Sequence, residues 1–427
     1  MSKRLFEKKP NRLSAGKFFS RLCAVVAVPV IAAVLNGCLS GKIINSRKQF
    51  YSDNYIVSAD LLSEIKDKEG KNRILALLEY GTALHVAGNY QESTKALLEA
   101  NRLIEENDVF RIGEKAGTTV TNEMLKTFRP EGFERVLVHT YLAMNFIMVN
   151  DWSAARVEAK KALKTLGSLD VELQGQPFTR YICALAFEVM GDPEDAYIEY
   201  SKVAGEAPLS LQIHYELYRL AIIRGMGDEA QQWAREIEMR GGVIPVEPKP
   251  PNLIVFVSAG RAPIKKEINM VVPPANRFVV PTYESSGSMA HHAVLKIDNE
   301  PKASSFMLTD LDPLAKKTLK KRIAKEIASE VVRVAAKEAI TRQIEEQSAL
   351  IGLLVRIFFF LSEAADTRSW ETLPRYMGVI TQHLEPGTYN VSVEFYTMDG
   401  RPMGAVQHND MVIRKNWRTV LSARSVH

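Results

Sequence analysis

Cys38 is the residue of this sequence best placed for covalent chemistry. It closes the run Leu35-Asn36-Gly37-Cys38, directly after an apolar stretch. A thiolate is a strong nucleophile and can be alkylated. Of the other two cysteines, Cys23 lies inside the apolar stretch and Cys183 lies in Tyr181-Ile-Cys-Ala-Leu-Ala-Phe187. Free cysteine is among the most buried residue types, so Cys183 reads as a small core hydrophobe. His291-His292 is the one histidine pair, has no carboxylate at metal-ligand spacing, and reads as part of a surface loop. HExxH, GxSxG, GxxxxGK(S/T) and a GxGxxG following a strand are all missing. Acids are frequent but scattered. The residues therefore name no catalytic group, no metal site and no cofactor.

The segment before Cys38 has the layout of an export signal. Lys3, Arg4, Lys8, Lys9, Arg12, Lys17 and Arg21 stand against a single acid, Glu7. Residues 23–35 then carry no charge. Thirteen helical residues rise about 20 Å, well short of a hydrocarbon core of roughly 30 Å. A basic flank, a short apolar core and small residues before a cysteine resemble the signal peptide of a bacterial lipoprotein. The resemblance implies removal of residues 1–37 and acylation of Cys38, with palmitate among the expected chains. Leu39 is not the Asp that retains such proteins at the inner membrane, so an outer-membrane anchor facing the periplasm is expected. The first 37 residues carry a net +6 and the whole chain +5, so the rest carries −1. The basicity thus belongs to export, and no nucleic-acid partner is expected. With Cys183 the only cysteine left, no internal disulfide is expected either.

The first half is repetitive. Asn54-Tyr55-Ile-Val-Ser58 matches Asn89-Tyr90-Gln-Glu-Ser93, and related units start at Asp151-Trp152, Asp192-Pro193 and Met226-Gly227. Tyr55, Tyr90, Trp152, Pro193 and Gly227 stand 35, 62, 41 and 34 residues apart. That period resembles the tetratricopeptide repeat (TPR), a helix-turn-helix unit of about 34 residues. Gly81, Ala143 and Ala184 supply small residues where paired helices cross, and Gly-Asn or Gly-Asp supplies the turns. Such pairs bury both their apolar faces only by stacking into a solenoid. The interval of 62 holds an insertion including residues 109–119 and 129–135. Insertions in solenoids map to one face, often the binding face. On this reading Glu131, Glu134 and Arg135 line a partner groove; the alternative is one more helix over the core, with a local ion pair.

Residues 243–252 hold four prolines and read as a stiff linker. Beyond them come short β-rich runs, including residues 253–258, 277–281, 292–297, 389–396, 411–413 and 417–421. Val391, Val393 and Phe395 alternate with polar neighbours, and Asp399-Gly400 marks a hairpin. A small antiparallel sandwich follows. Between the runs, Asp312-Pro313 opens a helical stretch to residue 362 with Lys316, Lys317, Lys320, Lys321, Arg322 and Lys325 ahead of its first acid. This is either a basic amphipathic helix lying on anionic lipid or a solvated lysine face on a packed helix.

Two blocks resemble a family of tetratricopeptide-like bacterial envelope lipoproteins. One is residues 130–145 followed by Asp151-Trp152; the other is residues 365–374 with Pro386-Gly-Thr-Tyr389. The resemblance implies a location and an architecture rather than a reaction. Within Asp366-Thr-Arg368-Ser-Trp370, Arg368 either locks a turn by ion pairing or contacts a ligand. The expected fold is α+β: a signal over 1–37, a TPR-like solenoid over 38–242, the linker, and a β-sandwich over 253–427 with a helical insertion at 313–362. The expected function is a lipid-anchored scaffold that docks envelope proteins in its helical groove, in envelope assembly or peptidoglycan synthesis. The alternative is a lipid- or glycan-handling protein working through the basic helix.

Overall fold

The computed structural model describes residues 41–68, 70–114, 127–208, 210–272, 276–324 and 365–427. Cys38, Lys325 and the rest of the expected helix to residue 362 lie outside the described residues, as does the middle of the insertion.

Ten helices form five antiparallel pairs: α1 (Gly41–Phe50) with α2 (Tyr55–Ser63), α3 (Arg73–Val86) with α4 (Tyr90–Glu114), α5 (Gly132–Met148) with α6 (Trp152–Gly167), α7 (Pro177–Val189) with α8 (Pro193–Glu206), and α9 (Leu211–Ile223) with α10 (Gly227–Met239). The five repeat-marking residues of the sequence are each the first residue of a second helix. One local device makes all five turns. A residue in left-handed conformation ends the first helix, such as Gly88 at φ +82° or Asn150 at φ +61°; Asp53, Gly191 and Gly225 do the same. The amide after it reaches back to a carbonyl five residues earlier, as in Asn89 to Leu84 at 2.8 Å and Asp151 to Phe146 at 2.8 Å. This closure satisfies carbonyls that a helix end leaves open.

The β part contains two four-stranded sheets and a hairpin. One sheet has the order β10-β1-β7-β6, from β1 (Leu253–Ala259), β6 (Phe306–Asp310), β7 (Tyr376–Gln382) and β10 (Thr419–Ser425). The other has the order β5-β4-β8-β9, from β4 (Ala290–Ile297), β5 (Glu300–Ser304), β8 (Gly387–Thr397) and β9 (Pro402–Ile413). β2 (Ile264–Val272) and β3 (Asn276–Glu284) form the hairpin. The sandwich is not wholly antiparallel, because β10 returns to pair with β1 in parallel, Leu253 opposite Thr419. His291 and His292 sit in β4 rather than in a loop, with His292 stacked on Tyr396. A helix over 311–324, α11, follows β6. No helix among the described residues is long and apolar enough to cross a membrane.

The described residues form three layers. The first sheet lies on α3, α5 and α7, the first helices of their pairs. Ile254, Phe256, Met377 and Val379 join the helices in one hydrophobic core, and Phe256 meets Phe178 edge-on at 6.3 Å. The sheet's opposite face, with Leu253, Val255, Val257 and Ile380, packs on Leu295, Val393 and Phe395 of the second sheet. Every residue of β1 is therefore buried, which explains its unbroken apolar run. Trp370 adds a further clamp. It is 1 % exposed, donates its indole N–H to Thr82 Oγ1 at 2.9 Å and packs on Tyr141. The helices and the first sheet share a core, so the row of first helices is covered by the chain's own sheet. That row therefore presents no open groove among the described residues.

The close crossing of α3 and α4 is testable. A Cβ on Gly81 would stand 2.7 Å from the buried Leu97 side chain. Gly81→Val should cost about 1–3 kcal/mol in urea unfolding, and adding Leu97→Ala should recover part of that loss. Unchanged stability of the single variant would contradict the tight crossing.

Candidate functional site

Side chains of opposite charge gather where the helical array meets β2 and α11. The loop before α5 places Glu131 at that helix's start, where it is 5 % exposed. Lys265 Nζ of β2 approaches Glu131 Oε1 at 2.8 Å, and Arg322 of α11 approaches the same oxygen at 3.2 Å. Lys265 also donates to the Arg368 carbonyl at 3.2 Å. Burial alone would push the Glu131 carboxyl up, but the two cations outweigh it and hold the group below the ordinary carboxylate range.

Above this buried cluster opens a cleft of about 710 Å³, a size suited to ligand binding. The α5–α6 side contributes Arg129, Arg135, Lys161 and Lys164; the β side contributes Lys265, Lys321 and Arg322. Glu105, Glu131, Asp170 and Asp366 also line it. Arg135 pairs with Asp108, and Arg129 reaches the same carboxylate at 3.7 Å. Lys161 and His139 share Glu158, at 2.7 and 2.8 Å. Lys321 is held by Asp170 at 3.3 Å and Glu172 at 3.0 Å. Among the described residues, no three His, Cys, Asp or Glu side chains stand together as a metal site.

The structure divides the candidate partner residues. Glu131 and Arg135 line the cleft, Glu131 only at its base. Glu134 does not line it and is 1 % exposed. Its Oε2 accepts the Glu131 N–H at 2.6 Å and its Oε1 accepts the Trp370 N–H at 2.9 Å. Glu134 is therefore an internal tie between helix start and β part, and no partner can reach it. Of the two readings of Arg368, the ligand contact is the one the structure contradicts. Arg368 is 2 % exposed and donates to Asp366 Oδ2 at 2.6 Å, Asn72 Oδ1 at 3.0 Å and the Lys71 carbonyl at 3.1 Å. Burial leaves it to lock the turn against the start of α3.

The basic stretch of α11 is not one free face. Leu311, Leu314, Ala315 and Leu319 pack inward. Lys317 and Lys320 are exposed, and Lys316 is exposed but bonded to Asp312 at 2.8 Å. Lys321 and Arg322 turn toward the cleft and its acids. Of the expected membrane face of Lys316, Lys317, Lys320, Lys321, Arg322 and Lys325, Lys316, Lys321 and Arg322 are thus ion-paired within the chain, and Lys325 lies outside the described residues. Lys161, Lys164 and Lys265 were not singled out from the sequence. Lys265 belongs to a strand without clear alternation, and the α6 lysines look like any solvated helix face.

No protein-family model matches the sequence, and no curated protein matches it either. Solved structures do. A crystal structure of MamA aligns at 13% identity over 46% of this chain and 94% of its own, with a TM-score of 0.34. A Podosopora anserina structure of kinesin light chain nearly identical TPR-like repeats aligns at 16% identity over 48% of this chain and 96% of its own, with a TM-score of 0.35. At such scores the TPR-like assignment rests on the five repeated turns and paired helices described above, not on superposition.

Glu134 yields a pH prediction. Burial pushes its carboxyl up to about 7, despite Lys265 nearby and the two backbone donors. A raised carboxyl binds its proton more tightly in the folded state. Its contribution is complete below the unfolded value near 4.5 and is lost as pH rises through about 7. Relative to Glu134→Gln, the wild type should lose up to about 3 kcal/mol between about pH 5 and pH 8. Thermal unfolding of both proteins across that window measures it. A pH-independent difference would refute the assignment.

Proposed function

We propose that this chain is a lipid-anchored scaffold that binds protein partners at the cell envelope. In this reading residues 1–37 are an export signal, and Cys38 carries the acyl chains that hold the body to the outer membrane, facing the periplasm. Envelope assembly or peptidoglycan synthesis is the process it serves. The carrying observation is architectural: five stacked helix pairs, with a charged cleft of about 710 Å³ at their seam with the β part. Stacked repeats are a common means of offering an extended surface to other proteins. Here the row of first helices is already covered, which moves the available surface to the seam and to the second helices.

The first helix among the described residues begins at Gly41, three residues after Cys38 in the sequence. Three extended residues reach about 11 Å at most. A lipid on Cys38 would therefore keep α1 close to the headgroups, with no long tether between bilayer and body. One acyl chain alone binds a membrane only marginally, so more than one chain is required for a stable anchor.

Fractionation of Gram-negative cells expressing the wild type and Cys38→Ser tests the anchor. The wild type should sediment with outer membranes. The variant should lose that association, remaining unprocessed or soluble. A variant that is processed and still cofractionates with outer membranes would refute lipid anchoring at this residue.

A further inference from the structure

We infer that the seam cleft receives an acidic, extended segment of a partner protein. This deepens the scaffold reading and rests on it. The walls of the cleft differ in how fully their charges are balanced. At the base, Glu131 is held by Lys265 and Arg322. On the α11 side, Lys321 faces both Asp170 and Glu172. Those cations are neutralised from within.

The α5–α6 wall is different. Arg129 and Arg135 share one carboxylate, Asp108. Lys161 shares Glu158 with His139. Lys164 lines the cleft and has no carboxylate partner among the described residues. Even with the Glu105 carboxylate counted against it, positive charge exceeds negative charge along this wall, and the Arg129 side chain is 58% exposed. A guanidinium pair with a lysine nearby is suited to carboxylates, which Arg can hold through two parallel hydrogen bonds.

The remaining lining selects the kind of anion. Glu105, Asp170 and Asp366 face the same space. A compact phosphate dianion would meet these acids at close range. A peptide spreads its carboxylates out and brings backbone N–H donors between them, so it can satisfy both signs of charge. Thr165 and Ser168 also line the cleft, and the Ser168 hydroxyl, which donates to the Thr165 carbonyl at 2.6 Å, keeps an oxygen that can accept from a peptide N–H.

The test uses the folded chain after residue 38 and a fluorescent peptide of alternating Asp and Gly. Anisotropy should report binding that weakens as salt rises. Arg129→Glu with Lys164→Glu should weaken it at least about tenfold, whereas Lys317→Glu, on the outer face of α11, should not. Melting temperatures check folding, and Lys164→Ala alone should weaken binding less but measurably if the double variant unfolds. No binding at low salt, or equal binding by the folded Lys164→Ala and double variants and the wild type, overturns the proposal. So does displacement of the peptide by inorganic phosphate or phosphatidylglycerol vesicles that exceeds the loss caused by sodium chloride at the same ionic strength. Crosslinking in intact cells separates this inference from the scaffold reading. If the double variant still captures the wild type's envelope partners, the cleft assignment falls and the scaffold reading stands; if the wild type captures none, the scaffold reading falls.

Discussion

The structure depends on covering a sheet that is apolar on both faces. β1 has no exposed residue, and its side chains alternate between two cores. One face requires the second sheet. The other requires an equally large apolar surface, and the row of first helices supplies it. In exchange those helices are nearly buried along their length, as α5 is from Phe133 to Asn145. Neither half has its core complete without the other. The prolines of residues 243–252 therefore join two layers of one body rather than two independent ones.

Joining helices to a sheet also buries polar groups, and three clusters of them are ion-paired across the seam. Arg47 of α1 meets Glu79 of α3 at 2.5 Å and Glu371 of the β part at 2.6 Å. Glu188 of α7 meets Arg219 of α9 at 2.8 Å and also Arg418, just ahead of β10. Glu131, Lys265 and Arg322 complete the set. Each cluster draws members from both parts of the chain. Buried ion pairs add little net stability, because desolvation offsets attraction, but breaking one leaves a buried charge alone. Their effect is to penalise misplaced docking of sheet on helices, which an apolar contact by itself would tolerate.

What could be read in the sequence was what local chemistry controls. Turn residues such as Gly88-Asn89 and Asn150-Asp151 act over five residues, so the starts of all five second helices were legible. The alternation of β8 was legible because one of its faces is solvated. β7 was not, because Tyr376–Gln382 is buried on both faces and shows no alternation. The parallel return of β10 to β1 joins residues more than 160 positions apart and leaves no local mark. Glu134 misled for a related reason. An acid in the first turn of a helix is ordinarily a solvated cap, and only the arrival of Trp370 from the far end of the chain makes it internal.

Docking of sheet on helices also sets where the cleft sits. Packing a flat sheet against a row of helices leaves a gap wherever the sheet ends and the helices continue. At that margin the hairpin of β2 and β3 and the start of α11 reach back to the array, and they bring Lys265, Lys321 and Arg322 with them. Charges at a margin are only partly desolvated, so each draws a counterion from whichever wall is nearer. The acids available there are consumed mostly by the β-side cations. The α5–α6 wall keeps a surplus because its carboxylates, Asp108 and Glu158, are each shared. A wall with surplus positive charge, facing a cavity in partial contact with water, attracts anions more strongly than the same charges would on a convex surface, since the surrounding protein focuses the field. The electrostatic character of the cleft thus follows from the geometry of docking, and the repeats contribute to it by their edge rather than by their inner face.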